Sequence, residues 1–121
     1  MKYTRKDFVK YKKCIEKLAV IFGMVDYELR FKHEPTEDSY AEVEYDQNTR
    51  DACFKLTTKE LPDNQYAELK RLALHEFLHI VLADLKLVAT QAPFDVDRWG
   101  LEEHKVINVL IKEMETRQYI L

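Results

Sequence analysis

An apolar run of helical length, from Leu72 to Leu87, is interrupted near its start by the sequence His-Glu-Phe-Leu-His. Burying ionisable side chains is costly unless they are paired or bind a metal, so this interruption constrains both fold and chemistry. His75 and His79 are four residues apart, and on a helix they lie one turn apart on the same face. Both imidazoles can then bind one ion. The pattern therefore predicts a helix that carries a metal site.

The glutamate that follows the first histidine indicates what such a site would do. Glu76 can reach a water molecule in an open coordination position and act as a general base. Two ordinary core histidines with a surface glutamate between them are the alternative interpretation, and the apolar setting argues against it. We expect a zinc hydrolase, with Zn²⁺ as cofactor and a protein or peptide as substrate.

A third zinc ligand must come from elsewhere, because catalytic zinc sites use three protein ligands and a water. The candidates are Glu102, Glu103 and His104, at the start of a helix predicted over residues 101–118. The apolar face of that helix comprises Val106, Ile107, Leu110, Ile111 and Met114. At about 100° per residue, Glu103 falls near the centre of this face. A carboxylate directed into a core needs a partner, so we predict Glu103 as the third ligand, with His104 as the alternative. A solvated carboxylate at the helix start is the competing interpretation.

Hydrophobic periodicity divides the first half of the chain into one helix and three strands. Apolar positions three and four apart predict a helix over residues 5–22, which Gly23 ends. Alternating apolar and polar residues predict strands at 25–32, 41–46 and 52–56. Because the connections are short, we expect a three-stranded antiparallel meander with one apolar face.

The second half of the chain is predicted to be helical. Asp63 or Asn64 would cap the motif helix, which runs to about Leu87. A loop over residues 89–100 precedes the final helix. The element order indicates a single α+β domain over residues 1–121, with helices packed on a small sheet.

Net charge is −3 over 121 residues and points to no polyanionic partner, although the charge is unevenly distributed. Residues 1–17 carry seven basic and two acidic side chains, whereas residues 34–51 carry seven acidic and one basic. A basic first helix could contact nucleic acid. Such a run is more often a solvated face, which is the interpretation we adopt.

Other sequence features indicate a cytoplasmic protein. Cys14 and Cys53 are far apart in sequence and form no C-x-x-C pair, which is typical of a reducing compartment. The first residues lack the apolar segment of a secretory signal. The apolar run around the motif is too polar to span a bilayer, so we expect no membrane partner.

In these motifs the chain resembles the zincin superfamily of metallopeptidases, especially the minimal single-domain members common in phage and prophage genomes. The likeness covers roughly residues 25–115 and implies a zincin-like fold. It also implies His75 and His79 as zinc ligands, Glu76 as the base and Glu103 as the third ligand. The chain lacks a further H-x-x-G-x-x-H continuation after His79. It is therefore similar to the glutamate-ligand branch and not to the metzincins.

Other interpretations stay open from sequence alone. The chain could be a non-catalytic, zinc-stabilised interaction module, such as a phage accessory protein, or a DNA-associated protease that uses its basic first helix. A substrate could be held extended along a free sheet edge, for which the third strand is our candidate. Candidate donors to the oxyanion are Tyr40, Tyr66, His104 and Tyr119.

Overall fold

The chain folds into three helices and a three-stranded sheet in a computed structural model that describes residues 1–62, 68–83, 86 and 96–117. The elements of this part are α1 (Arg5–Ile21), β1 (Glu28–His33), β2 (Ala41–Asp46), β3 (Asp51–Leu56), α2 (Leu69–Val81) and α3 (Val96–Arg117). The predicted α+β class is confirmed. Among the described residues, no helix combines the length and apolar character needed to span a membrane.

A capping box begins α1. The Asp7 backbone N–H donates to Thr4 Oγ1 at 3.1 Å, and the Thr4 backbone N–H donates to Asp7 Oδ2 at 2.8 Å. Two otherwise unpaired donors of the first turn are thereby satisfied. The helix ends at Ile21, and Gly23 follows with a φ of 67°, a conformation that favours glycine. The predicted helix and its glycine stop are confirmed.

The strand order is β1-β3-β2, so the predicted antiparallel meander is wrong. β3 pairs in parallel with β1 and antiparallel with β2, and the sheet is mixed. Hydrophobic burial explains this order: β3 has the three consecutive buried residues Ala52, Cys53 and Phe54, whereas β1 and β2 alternate with exposed charges. The strand with the most buried residues takes the central position.

The connection between β1 and β2 makes this order available. Residues 34–40 carry the chain from β1 to β2 and leave the place next to β1 open. The β2–β3 hairpin then brings β3 into that place, between β1 and β2. The Thr57 N–H donates to the Tyr40 carbonyl at 2.9 Å, and the Thr36 N–H contacts Thr57 Oγ1 at 3.4 Å. Because β3 is central, our prediction that it offers a free edge to substrate is also wrong. Within the described sheet, β1 and β2 are the edges.

The core lies between the helices and one face of the sheet. Three stacked or near-parallel rings connect the layers: Phe31 to Phe54 at 5.9 Å, and Phe54 to Phe77 at 6.3 Å between centroids. The strand residues on the same face of the sheet as Phe31 and Phe54 also point toward the helices. They are Leu29, His33, Ala41, Val43, Tyr45, Ala52 and Leu56. This packing holds α2, the motif helix, against the sheet.

Helix boundaries differ from the sequence predictions at several ends. α2 begins at Leu69, with Glu68 as its N-cap residue, and ends at Val81. The predicted caps Asp63 and Asn64 and the predicted end at Leu87 lie outside the described residues. α3 begins at Val96, five residues earlier than predicted, and passes through Gly100, where an added Cβ would meet no atom within 4 Å.

Candidate metal centre

Helix α2 separates its apolar side chains from its histidines. Ala73, Leu74, Phe77, Leu78 and Ile80 are fully buried in the core. His75 and His79 are half-buried on another side of the helix, with ring centroids 5.2 Å apart. The four-residue spacing therefore brings the two rings together as predicted.

His104 of α3 completes a group of three imidazoles. Its ring centroid lies 5.6 Å from that of His75 and 5.2 Å from that of His79. One nitrogen from each ring lies within 4.8 Å of the other two. Three imidazoles at this separation fit zinc, whose bonds to histidine nitrogen are about 2.0–2.1 Å, after small side-chain movements. Among the described residues, these three histidines are the group of metal-binding side chains that meets this geometry.

Contacts made by Nδ1 leave Nε2 available on the rings of His104 and His79. His104 Nδ1 lies 2.7 Å from the Gly100 carbonyl oxygen, to which it can only donate. His79 Nδ1 lies 3.2 Å from Oε2 of Glu103. Each contact places the ring proton on Nδ1 and leaves the Nε2 lone pair for a metal. Partners of this kind fix the orientation of metal-binding histidines.

Glu103 points into the core, as its position on the apolar face of α3 predicted. Its side chain is 8% exposed, and Oε1 is buried without a hydrogen-bond partner among the described residues. It contacts His79 but is not in the group of three ligand atoms. The geometry therefore favours the alternative ligand, His104, and gives Glu103 the position of a carboxylate that orients His79. Which of the two binds the metal stays a prediction.

Burial keeps the imidazoles of α2 neutral. It lowers the pKa of His75 to about 4, with further lowering from the neighbouring His79 and His104. Burial also lowers the pKa of His79, and Glu103 opposes this effect. Neutral rings have their lone pairs available at pH 7, so metal binding need not displace protons from them.

Glu76 is 7% exposed, and its burial raises the pKa of its carboxyl to about 8, with a smaller contribution from Glu42. A carboxyl in this environment is protonated at neutral pH when no cation is nearby. A positive charge held by the adjacent imidazoles would favour the carboxylate again. Glu76 is therefore placed to exchange a proton near neutral pH.

A cleft of about 480 Å³ opens beside His75 and Glu76. Its walls come from three elements: α2, α3 and the segment that leads into β2. The lining residues are Asp38, Ser39, Tyr40, Ala41, Arg71, Leu72, His75, Glu76, Asn108 and Ile111. Within the described sheet β2 is an edge strand that starts at this cleft, so an extended chain bound along it would begin beside His75.

Sequence reasoning did not single out two of the polar lining residues, Arg71 and Asn108. Arg71 is four residues before His75, and Asn108 is four residues after His104, so helical periodicity could have identified both. Of the proposed oxyanion donors, Tyr40 lines the cleft, whereas Tyr66 and Tyr119 lie outside the described residues.

His33 lies at the end of β1, where its ring stacks on that of Phe8 at 5.1 Å between centroids. It is not a member of the imidazole group. Asp84, five residues after His79, lies outside the described residues.

No protein-family model, no curated protein and no solved structure matches this chain. The resemblance to zincins therefore rests on the motif and its setting, and it stays a prediction.

Proposed function

We propose that this chain is a zinc-dependent endopeptidase of narrow substrate range. The observation that carries the proposal is the convergence of His75, His79 and His104, of which His75 also lines an open cleft together with Glu76. A site used only for structure has no need of a buried carboxyl beside its ligands, or of a cleft next to them. A hydrolase needs both.

The three histidines would hold the metal, with Glu103 orienting His79 through its 3.2 Å contact. Zinc held there would supply a positive charge that polarises a carbonyl group and makes a nearby water more acidic. Glu76 accepts the proton of the attacking water and delivers it to the leaving amine. The buried position of Glu76 makes its carboxylate a stronger base than an exposed one.

The substrate would bind as an extended chain along β2, with its main-chain groups paired to the strand edge. Arg71, one turn before His75, places a cation in the same cleft. It would favour substrates with an acidic side chain near the cleaved bond. Among the tyrosines that the structure describes, Tyr40 is the candidate for a hydrogen-bond donor to the oxyanion.

The test compares the wild-type protein with Glu76→Gln. We expect one zinc ion per chain in both proteins by elemental analysis. After incubation with a peptide library, new termini identified by mass spectrometry should appear with the wild type. With Glu76→Gln they should fall by about 10²–10⁴-fold, the usual contribution of a general base. A wild-type protein that binds no zinc, or a variant that cleaves as well as the wild type, would contradict the proposal.

The second candidate is a non-catalytic, zinc-stabilised interaction module. The position of the imidazole group favours this second function, because a bound ion would cross-link α2 to α3. Zinc binding that stabilises both proteins equally, with no cleavage by either, would select this function.

A further inference from the structure

A second cleft, of about 660 Å³, lies between α1 and β1. We call it the basic groove. Its cationic lining residues are Arg5, Lys12, Lys13, Arg30 and Lys32. Among the described lining residues, Glu16 is the one acidic side chain. The groove is separate from the metal centre, since the two clefts share no lining residue.

One wall of the basic groove is β1, an edge strand of the sheet formed by the described residues. The Glu28 N–H donates to the Arg50 carbonyl at 2.8 Å, so the main-chain groups of Glu28 point toward β3. Successive residues of a strand paired in parallel direct these groups to alternate sides. The N–H and C=O groups of Leu29, Phe31 and His33 therefore point away from β3, toward the groove. An incoming strand would find both donors and acceptors there.

The surroundings of this edge combine apolar and cationic groups. Lys12 Nζ lies 5.5 Å from the centroid of the half-buried Phe31 ring, and Arg5 Cζ lies 5.0 Å from the centroid of the Phe8 ring. Arg30 and Lys32 project from the opposite, charged face of the sheet, where Arg30 also pairs with Asp51 at 3.2 Å. A strand added at β1 would thus meet cations on both of its faces, and apolar surface on one.

We propose that the basic groove binds an extended acidic segment of a partner protein, which adds to the sheet as a strand beside β1. The positive charge of the groove favours acidic side chains in the partner. Because apolar and charged side chains alternate along β1, it favours a segment in which acidic and apolar residues alternate. A polypeptide satisfies both the donors and the acceptors of the edge. A phosphate backbone would satisfy the donors and be repelled by the carbonyl oxygens, so the groove suits a peptide better than nucleic acid.

The test uses fluorescence anisotropy with the full chain and a labelled octapeptide that alternates glutamate and valine. We expect binding that weakens at least tenfold in the double variant Lys12→Glu/Lys13→Glu. The matched control is Lys10→Glu/Lys17→Glu, which makes the same charge change on the same helix at residues that do not line the groove. It should weaken binding less than threefold.

A second measurement separates strand pairing from simple charge attraction and uses the wild-type protein. An octapeptide of the same charge, methylated on alternate main-chain nitrogens along one edge, cannot pair with a strand through that edge. With methylation on either edge tested in turn, one of the two peptides should bind at least tenfold more weakly than the unmethylated one.

Three results would overturn the proposal. The first is equal weakening by the groove and control variants. The second is equal binding of both methylated peptides and the unmethylated one. The third is tighter binding of a 20-base-pair DNA duplex than of the acidic peptide, with the same loss in Lys12→Glu/Lys13→Glu, which would make the groove a nucleic-acid surface. None of these measurements depends on proteolytic activity, so they test the groove independently of the metal centre.

Discussion

Burial shifts the pKa values of the adjacent residues His75 and Glu76 in opposite directions. It favours the neutral form of both, which means a lost proton for the histidine and a gained proton for the glutamate. Without a metal, His75 and Glu76 are therefore both neutral at pH 7. Such a site is prepared to accept a cation, whose charge then restores the carboxylate.

These pKa values make the stability of the metal-free protein depend on pH. The folded pKa of Glu76, about 8, exceeds its usual value of 4.5, so the folded state binds the extra proton between these pH values and loses stability as pH rises through them. The pKa of His75 in the folded state, about 4, is below its usual value of 6.5. The stability that the neutral ring contributes is therefore lost as pH falls from 6.5 toward 4.

We therefore expect Glu76→Gln to stabilise the metal-free protein at pH 8, on the order of 2–3 kcal/mol, because it removes the cost of a buried carboxyl. Urea denaturation in the presence of a chelator measures this difference. The gain should shrink by pH 5. Glu102→Gln, at an exposed position of α3, is the control and should change stability little at either pH. A gain in Glu76→Gln that does not vary with pH would contradict the predicted burial effect.

A second experiment at the residue scale distinguishes the two candidate third ligands. If His104 binds zinc, His104→Ala should lower zinc affinity more than Glu103→Gln does. Loss of a carboxylate that orients a ligand typically costs about 10–100-fold in affinity. Competition with a chromophoric chelator measures both. A larger loss in Glu103→Gln would instead support the glutamate as ligand.

At the scale of elements, the sheet order depends on which strand carries the most buried residues. Local alternation in β1 and β2 is clear, and each has a charged face that suits an edge. β3 has Cys53 and Ala52 buried on opposite faces and so occupies the centre. The described sheet therefore has two edges with different surroundings, β2 beside the metal centre and β1 beside the basic groove.

The N-terminal capping box should be a measurable contribution to α1. Thr4→Ala removes the hydroxyl that accepts from the Asp7 N–H, and we expect a loss of about 1 kcal/mol in the free energy of unfolding. Urea denaturation monitored by circular dichroism measures it. The control, Lys10→Ala at an exposed position of the same helix, should stay within about 0.5 kcal/mol of the wild type.

At the scale of the whole molecule, the imidazole group joins two helices, α2 and α3. α2 supplies two rings, and α3, which starts at Val96, supplies the third. Any ion bound there stabilises the folded state over the unfolded one by mass action. Metal binding should therefore be visible in global unfolding as well as locally.

We expect zinc to raise the thermal midpoint of the wild-type protein. Free zinc at a thousand times the dissociation constant corresponds to about 4 kcal/mol of stabilisation. His75→Ala should abolish most of this response while retaining the α+β circular dichroism spectrum of the metal-free protein. Differential scanning fluorimetry with and without a chelator measures both. An unchanged response in His75→Ala would mean that zinc binds elsewhere.

Much of the molecule was decided by local sequence. Apolar spacing determined α1, the strand faces and the motif helix, and the four-residue interval of His75 and His79 determined their proximity, because each depends only on the repeat of one element. Helical geometry also placed Glu103 on the buried face of α3. These features need no knowledge of neighbouring elements.

Only the tertiary structure decided how those elements meet. The parallel pairing of β1 with β3 depends on competition for the buried centre of the sheet, which turn signals do not encode. The approach of His104 to the imidazoles of α2 depends on which side of α3 faces that helix. An apolar stripe identifies the face that is buried, but the direction from which a neighbouring helix packs is set by the shape of the whole core.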